Sequence, residues 1–371
     1  MRRSCLALAA AIGVLTAVAL AQPAPSAGPY SILKTAKVGG LGGFDYIYAD
    51  VTGRRIFIPR GAVPGATPIP ARVTVFDLDT LAPIGEIPDV RANGAVIDVK
   101  SGHGFAGSTP VMMFDAKTLK PIKTIDLDPK NRPDGIYADQ AQQRIYLFSH
   151  PTLDATVLDA NDGRILATID LGGVPEQGVG DGKGHLYVVL QDKASVAVID
   201  TAAMKVTAHY EFGDKGGRCN GLALDAKNRV LFAACGQSGN PPVTPAQPMM
   251  VILNADDGKI ITTLPLAGGS DGAVFNPATM EVFSSHGNGT MTIVKETGPT
   301  TFVVEQNLQT MPGAKCLTLD TKTNRILTDA AEYGPAPPPP PPDPNAPAGR
   351  GGRGSRGPML PESFSILVIG K

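Results

Sequence analysis

Residues 47–59 read Ile-Tyr-Ala-Asp, then Val-Thr-Gly-Arg-Arg, then Ile-Phe-Ile-Pro. An alternating apolar run enters a polar turn on an aspartate, and a second apolar run leaves it. The pattern returns at 136–148 (IYADQAQQRIYLF), 222–234 (LALDAKNRVLFAA) and 317–329 (LTLDTKTNRILTD). Asp and Asn side chains bond the backbone of such turns, and β-branched and aromatic residues suit the flanking strands, so each copy is a hairpin. The turn-opening residues are Asp50, Asp98, Asp139, Asp181, Asp225, Asn276 and Asp320, spaced by 48, 41, 42, 44, 51 and 44 residues. A second hairpin follows in most units, marked by Asp77, Asp115, Asp159, Asp200 and Asn254; the last two units lack this marker.

Two hairpins per repeat of this length make a four-stranded blade, and seven markers predict an all-β, seven-bladed β-propeller. The last unit offers only SFSILVIGK after its first hairpin, one strand short, while Tyr30–Val38 precedes the first blade with nothing to pair with. The N-terminal strand is therefore expected to complete the last blade and close the ring, which removes exposed sheet edges. The period is broken at Gly61–Ala71, Gly236–Pro248 and Gly334–Pro361, each time between the second and third strands of a blade. Those loops are expected on the face where the innermost strands begin. The last contains Pro337–Pro342 unbroken and a Gly/Arg run, so 335–361 reads as a disordered loop.

Met1-Arg2-Arg3, the apolar run Leu6–Leu20 and Ala19-Leu20-Ala21 have the layout of a secretory signal. Residues 1–21 are expected to be removed, leaving 22–371 as one propeller domain in the periplasm or secreted. Beyond that run no stretch is long and apolar enough to span a membrane. The formal net charge is -1, about -3 without Arg2 and Arg3, with 5% aromatic residues and no Trp. That balance argues against nucleic acid as a partner.

The segments IYLFSH and ATVLDANDGRILATIDLG (145–172) and HLYVVLQDKASVAVIDTAAMKV (185–206) resemble the YncE-like, YVTN-repeat propellers of bacteria. The resemblance spans residues 30–371, although the literal Tyr-Val-Thr-Asn string is absent. It implies the propeller fold and leaves chemistry open, since such propellers include binding proteins, lactonases and parts of quinone-linked dehydrogenases. The absence of Trp separates the chain from WD-repeat sequences.

Counting back five residues from each turn marker reaches the entry of each innermost strand: Asp45, Asn93, Asp134, Glu176, Asn220, Asp271 and Lys315. One such residue per blade predicts a polar ring at the channel mouth. An oxygen-rich ring suits a hard cation such as Ca²⁺, or a hydroxyl-rich or cationic ligand; plain hydration of strand entries is the other reading. Hairpin symmetry places His286 across from Asp271 and His150 near Asp134, two imidazole–carboxylate pairs on opposite sides of the ring. His103, His185 and His209 lack a comparable partner on this reading. Reading the blade-five hairpin about Lys227 places Cys219 opposite Cys235, either as a disulfide or as two small buried residues, and leaves Cys316 a buried thiol. No phosphate-binding, nucleophile-elbow, zinc or haem motif occurs, so no catalytic residue is assigned. The expected function is a monomeric binding scaffold for a small ligand or partner protein, with a divalent-cation-dependent lactone hydrolase as the alternative.

Overall fold

The computed structural model describes residues 24–236, 247–336 and 357–371. The proposed signal segment 1–21 and most of the Pro/Gly/Arg-rich loop lie outside these residues. The described chain forms seven antiparallel sheets of four strands each. Six sheets are consecutive in sequence, from Tyr48–Pro88 in blade one to Ser270–Gln309 in blade six. The seventh combines Leu317–Asp320, Arg325–Ala330 and Ser365–Gly370 with the N-terminal strand Ser31–Lys37, whose outer pairing runs from Ser31↔Gly370 to Lys37↔Ser365. The ring is closed by the spare strand that the sequence predicts.

The core lies between blades rather than within them. Phe57, Val73 and Val75 of blade one pack on Ile97, Ala106 and Phe114 of blade two, and Tyr146, Phe148 and Val157 of blade three pack on Leu186, Val188 and Ala197 of blade four. Second strands are therefore almost wholly buried, whereas outermost strands such as Pro83–Pro88 and Ser31–Lys37 are mostly exposed.

The turn-opening residues serve twice. Each caps its own turn, as Asp50 accepts from the Gly53 N–H at 2.9 Å and Asp225 from that of Lys227 at 2.8 Å. Several also lock neighbouring blades, because the residue four positions on adopts a left-handed φ and reaches back to the preceding blade's marker. Arg54 (φ 54°) forks onto Asp320 with two 2.8 Å bonds, joining blade one to blade seven, and Arg229 (φ 60°) donates to Asp181 at 2.8 Å. Arginine at this position thus helps to set the angle between blades.

Cys219 and Cys235 form a disulfide within blade five. The insertion after blade seven's second strand begins and ends as an ordered stem. Tyr333 pairs with Met359, the Leu360 N–H donates to Glu332, and Arg60 stacks 3.8 Å over the Phe364 ring.

Asp329, on the second strand of blade seven, is fully buried, and neither carboxylate oxygen has a hydrogen-bond partner among the described residues. Burial pushes its carboxyl up to about 8, against the opposing pull of Lys315 and Arg60. A native carboxyl that holds its proton to about pH 8, against 3.8 for the free group, makes the native state bind the extra proton in between. Stability is then full below about pH 4 and falls as pH rises toward 8. Asp329→Asn should be nearly neutral near pH 4 and stabilising by about 1–3 kcal/mol near pH 9 in urea unfolding. An equal effect at both pH values would show that this carboxyl does not titrate.

Candidate functional site

The inner strands place all seven predicted ring residues at one end of the channel. In blades three to six the strand register shifts at the predicted position: between Pro133 and Ile136, Pro175 and Gly178, Cys219 and Gly221, and Ser270 and Gly272. These bulges release Asp134, Glu176, Asn220 and Asp271 from the ladder and re-aim their side chains, which join the ring contacts. Glycines follow three of them and allow the inner strands to approach closely. A Cβ on Gly135 would lie 2.9 Å from the Glu176 carbonyl oxygen, and one on Gly221 would lie 2.8 Å from the Gly272 carbonyl carbon. Gln177 crosses the channel next to the ring, donating to the Ala273 carbonyl and accepting from the Leu222 and Ala273 N–H groups.

The ring is a nearly continuous chain of polar contacts. Asn93 donates to Asp134 at 2.7 Å; His150 Nε2 lies 3.3 Å from Asp134 and 3.5 Å from Glu176. Asn220 Nδ2 donates to Glu176 at 3.2 Å and to Asp271 at 3.4 Å. Lys315 Nζ bridges Asp271 at 2.6 Å and Asp45 at 2.9 Å. Tyr46 and Gln191 also donate to Glu176. Glu176 is buried, while the side chains of Asp45, Asp271, Asp134 and Lys315 keep roughly a quarter of their surface and that of His150 about a third, so the ring opens to solvent. Two insertions start at this level: the Gly61 N–H donates to Gly43 and the Gly236 N–H to Arg218, each within two residues of a ring position.

Crowded carboxylates shape the electrostatics. Burial, reinforced by Asp134, Asp271 and Asp45, pushes the Glu176 carboxyl up to about 8. Burial also raises Asp134, against the pull of His150. Burial alone would lower the Lys315 ammonium, but Cys316, Asp271 and Asp45 outweigh it and hold it above its ordinary value. The thiol of Cys316, 3.4 Å from Asp45, is pushed well up by burial.

The second imidazole pair does not form. The bulge sets His286 opposite Ser270, and Asp271 turns to Lys315 instead. His286 is fully buried, its Nε2 3.0 Å from Thr292 Oγ1, and burial lowers its pKa to about 3, so it is a neutral core group rather than part of the ring. His185 does have a carboxylate partner, Asp181 at 3.1 Å, at the far end of its hairpin from the ring. His103 and His209 bond the carbonyls of Ala160 and Leu171. Sequence reasoning missed Tyr46, Gln191 and the approach of Cys316; Tyr46 and Cys316 adjoin ring positions, and Gln191 follows the second strand of blade four at the ring end of the hairpin, across from Glu176.

The ring can hold a ligand rich in positive charge or donors. A single hard cation spanning it is not what the residues favour, because the Lys315 ammonium already sits between Asp45 and Asp271.

No known family model matches the chain, and neither does any curated protein. Solved structures do. A crystal structure of RRP9 WD40 repeats superposes with a TM-score of 0.69 at 9% identity, covering 94% of this chain and 100% of that one. A structure of U3-55K gives 0.68 at 9% identity, covering 93% and 99%. The Neurospora crassa Pan2 WD40 domain gives 0.63 at 12% identity, covering 82% and 94%. At such identities the likeness establishes the β-propeller fold, a frequent scaffold for interactions, reached here without any Trp. Among the described residues no helix is long and apolar enough to cross a membrane.

Proposed function

We propose that the protein is an exported, monomeric binding propeller of the YncE-like kind, whose channel mouth captures a small cationic or donor-rich ligand on the loop-bearing face. The observation that carries this reading is the solvent-open ring itself. Four carboxylates converge there with one ammonium and one imidazole, more acceptor charge than the ring's own cations neutralise. The repeat residues at 145–172 and 185–206 support the family and the N-terminal segment supports export.

The test is a thermal-shift survey of polyamines, amino sugars and polyols on the full chain and on an Asp134→Asn, Asp271→Asn double variant. A stabilising amine or polyol whose effect disappears in the double variant is the expected result. If none shifts the melting temperature, or the shift survives in the variant, the mouth is hydrated structure only.

A second reading has one specific observation behind it: His150 lies against Asp134 beside Glu176, a protonated-carboxyl candidate at neutral pH. Such a trio is what a cation-assisted lactone hydrolase would use. Turnover of a simple lactone lost in His150→Gln would favour it, and no turnover would discard it.

A further inference from the structure

The ring holds two clusters that each offer three ligand atoms within 4.8 Å of one another: Asp45, Asp271 and Cys316 on one side, and Asp134, His150 and Glu176 on the other. They differ in what already satisfies them. The first is built around the Lys315 ammonium, 2.9 and 2.6 Å from its two carboxylates. Among the described residues the second has no such tethered cation in contact; its neighbours are the amides of Asn93, Asn220 and Gln191 and the Tyr46 hydroxyl.

His150 marks what is missing there. Its Nε2 is shut off from water and makes no hydrogen bond among the described residues, yet carboxyl oxygens lie 3.3 and 3.5 Å away. A bare lone pair facing the Asp134 carboxylate and Glu176 Oε1, an oxygen that already accepts from Asn220 and Gln191, is repulsive, and a proton on that nitrogen finds no well-directed acceptor. A cation shared by the nitrogen and both oxygens resolves the conflict. The amides then act as outer partners that orient the ligands: Asn93 holds Asp134 Oδ1 and leaves Oδ2 to face His150, while Asn220 and Gln191 hold Glu176.

We infer that Asp134, His150 and Glu176 bind one divalent transition cation of the Zn²⁺ or Mn²⁺ class. One imidazole and two carboxylates suit borderline metals better than Ca²⁺, which prefers six to eight oxygens. Three protein ligands leave at least one position for water or for a donor atom of the mouth's ligand. The inference rests on the reading of the mouth as the binding surface and narrows it to one side of the ring.

The experiment is calorimetric titration of chelator-treated full chain with Zn²⁺, Mn²⁺ and Ca²⁺, followed by Co²⁺ substitution with optical and paramagnetic NMR spectra. One equivalent of Zn²⁺ should bind more tightly than Ca²⁺. His150→Gln and Asp134→Asn should each weaken it by at least about ten-fold, while His185→Gln, a His–Asp pair away from the ring, leaves it unchanged. Should either ligand variant fail to fold, the wild-type Co²⁺ form decides through hyperfine-shifted His150 ring protons. Absence of a one-to-one Zn²⁺ complex, undiminished affinity in folded His150→Gln, or unshifted His150 protons overturns the inference. If metal fails to bind while amines or polyols still stabilise the mouth, the metal site falls and the binding reading stands; if neither binds, both fall.

Discussion

Replacing Lys315 by methionine should destabilise the protein by about 3 kcal/mol, with the loss shrinking when a divalent cation is added. Among the described residues the ammonium is the only tethered cation between Asp45 and Asp271. Methionine keeps the apolar stem and most of the packing, so the cost is electrostatic. Removing one member of such a pair leaves the others uncompensated, which in a dry interior costs about 3–5 kcal/mol. Water reaches roughly a quarter of each of these side chains, and screening holds the value at the low end. The signature lies in the coupling: the double variant Lys315→Met, Asp271→Asn should recover half the loss or more, because one of the two stranded charges is gone. Urea unfolding of the single and double variants checks this. A single-variant cost below about 1 kcal/mol, or no recovery in the double variant, would show that Lys315 is not the counter-ion of the ring.

The architecture was legible because hairpin turns repeat a chemical requirement. Asp50, Asp139, Asp225 and Asp320 must cap their turns, so their spacing counts blades directly, and the unpaired segment before blade one can only close the ring. The ring positions followed from the same ruler, since the distance from strand entry to turn is shared by all blades. What the ruler could not see is the bulge. Reading the blade-six hairpin as a plain ladder sets Asp271 across from His286, but the extra residue turns Asp271 into the channel and leaves His286 facing Ser270. The same device in blade five acts the other way: pairing about Lys227 is correct for Cys219 and Cys235 because the bulge falls between Cys219 and Gly221. A signal was present. Asp134-Gly135, Asn220-Gly221 and Asp271-Gly272 each place a glycine inside a strand, the mark of a bulge or of closely approaching backbones. Gln191 was within reach of the same ruler, because it follows Leu190, paired with Pro175, just as His150 follows Ser149, paired with Pro133, and so falls beside Glu176 within its own blade.

Ring closure depends on one side chain more than on the strand that follows it, and Tyr30→Ala should cost about 3–5 kcal/mol. The strand Ser31–Lys37 is mostly exposed, so its ladder with Ser365–Gly370 adds little apolar burial. Tyr30, just before it, is buried against blade six, its ring edge-on to Phe283 at a centroid distance of 5.1 Å. Its backbone is clamped on both sides by Gln306, through N–H and carbonyl bonds of 2.9 Å each, and its hydroxyl donates to Glu281. The N-terminal segment therefore crosses the joint between blades six and seven, with Lys371 at the C-terminus donating to the same Glu281 at 2.8 Å. Tyr30→Phe keeps the ring and loses only the hydroxyl bond, at a cost of about 1–2 kcal/mol. Burial alone would raise the Glu281 carboxyl, but bonds from Lys371 and Tyr30 outweigh it and hold it near 2. A depressed carboxyl contributes stability that is present above its free value of 4.5 and is lost as pH falls toward 2. Tyr30→Phe weakens that hold, so its penalty should be largest near neutral pH and fade in acid. Urea unfolding at both pH values, with protease cutting before Ser31 as the local probe, reads both effects. Equal costs for the Ala and Phe variants would mean that the hydroxyl, not the packed ring, anchors the closure.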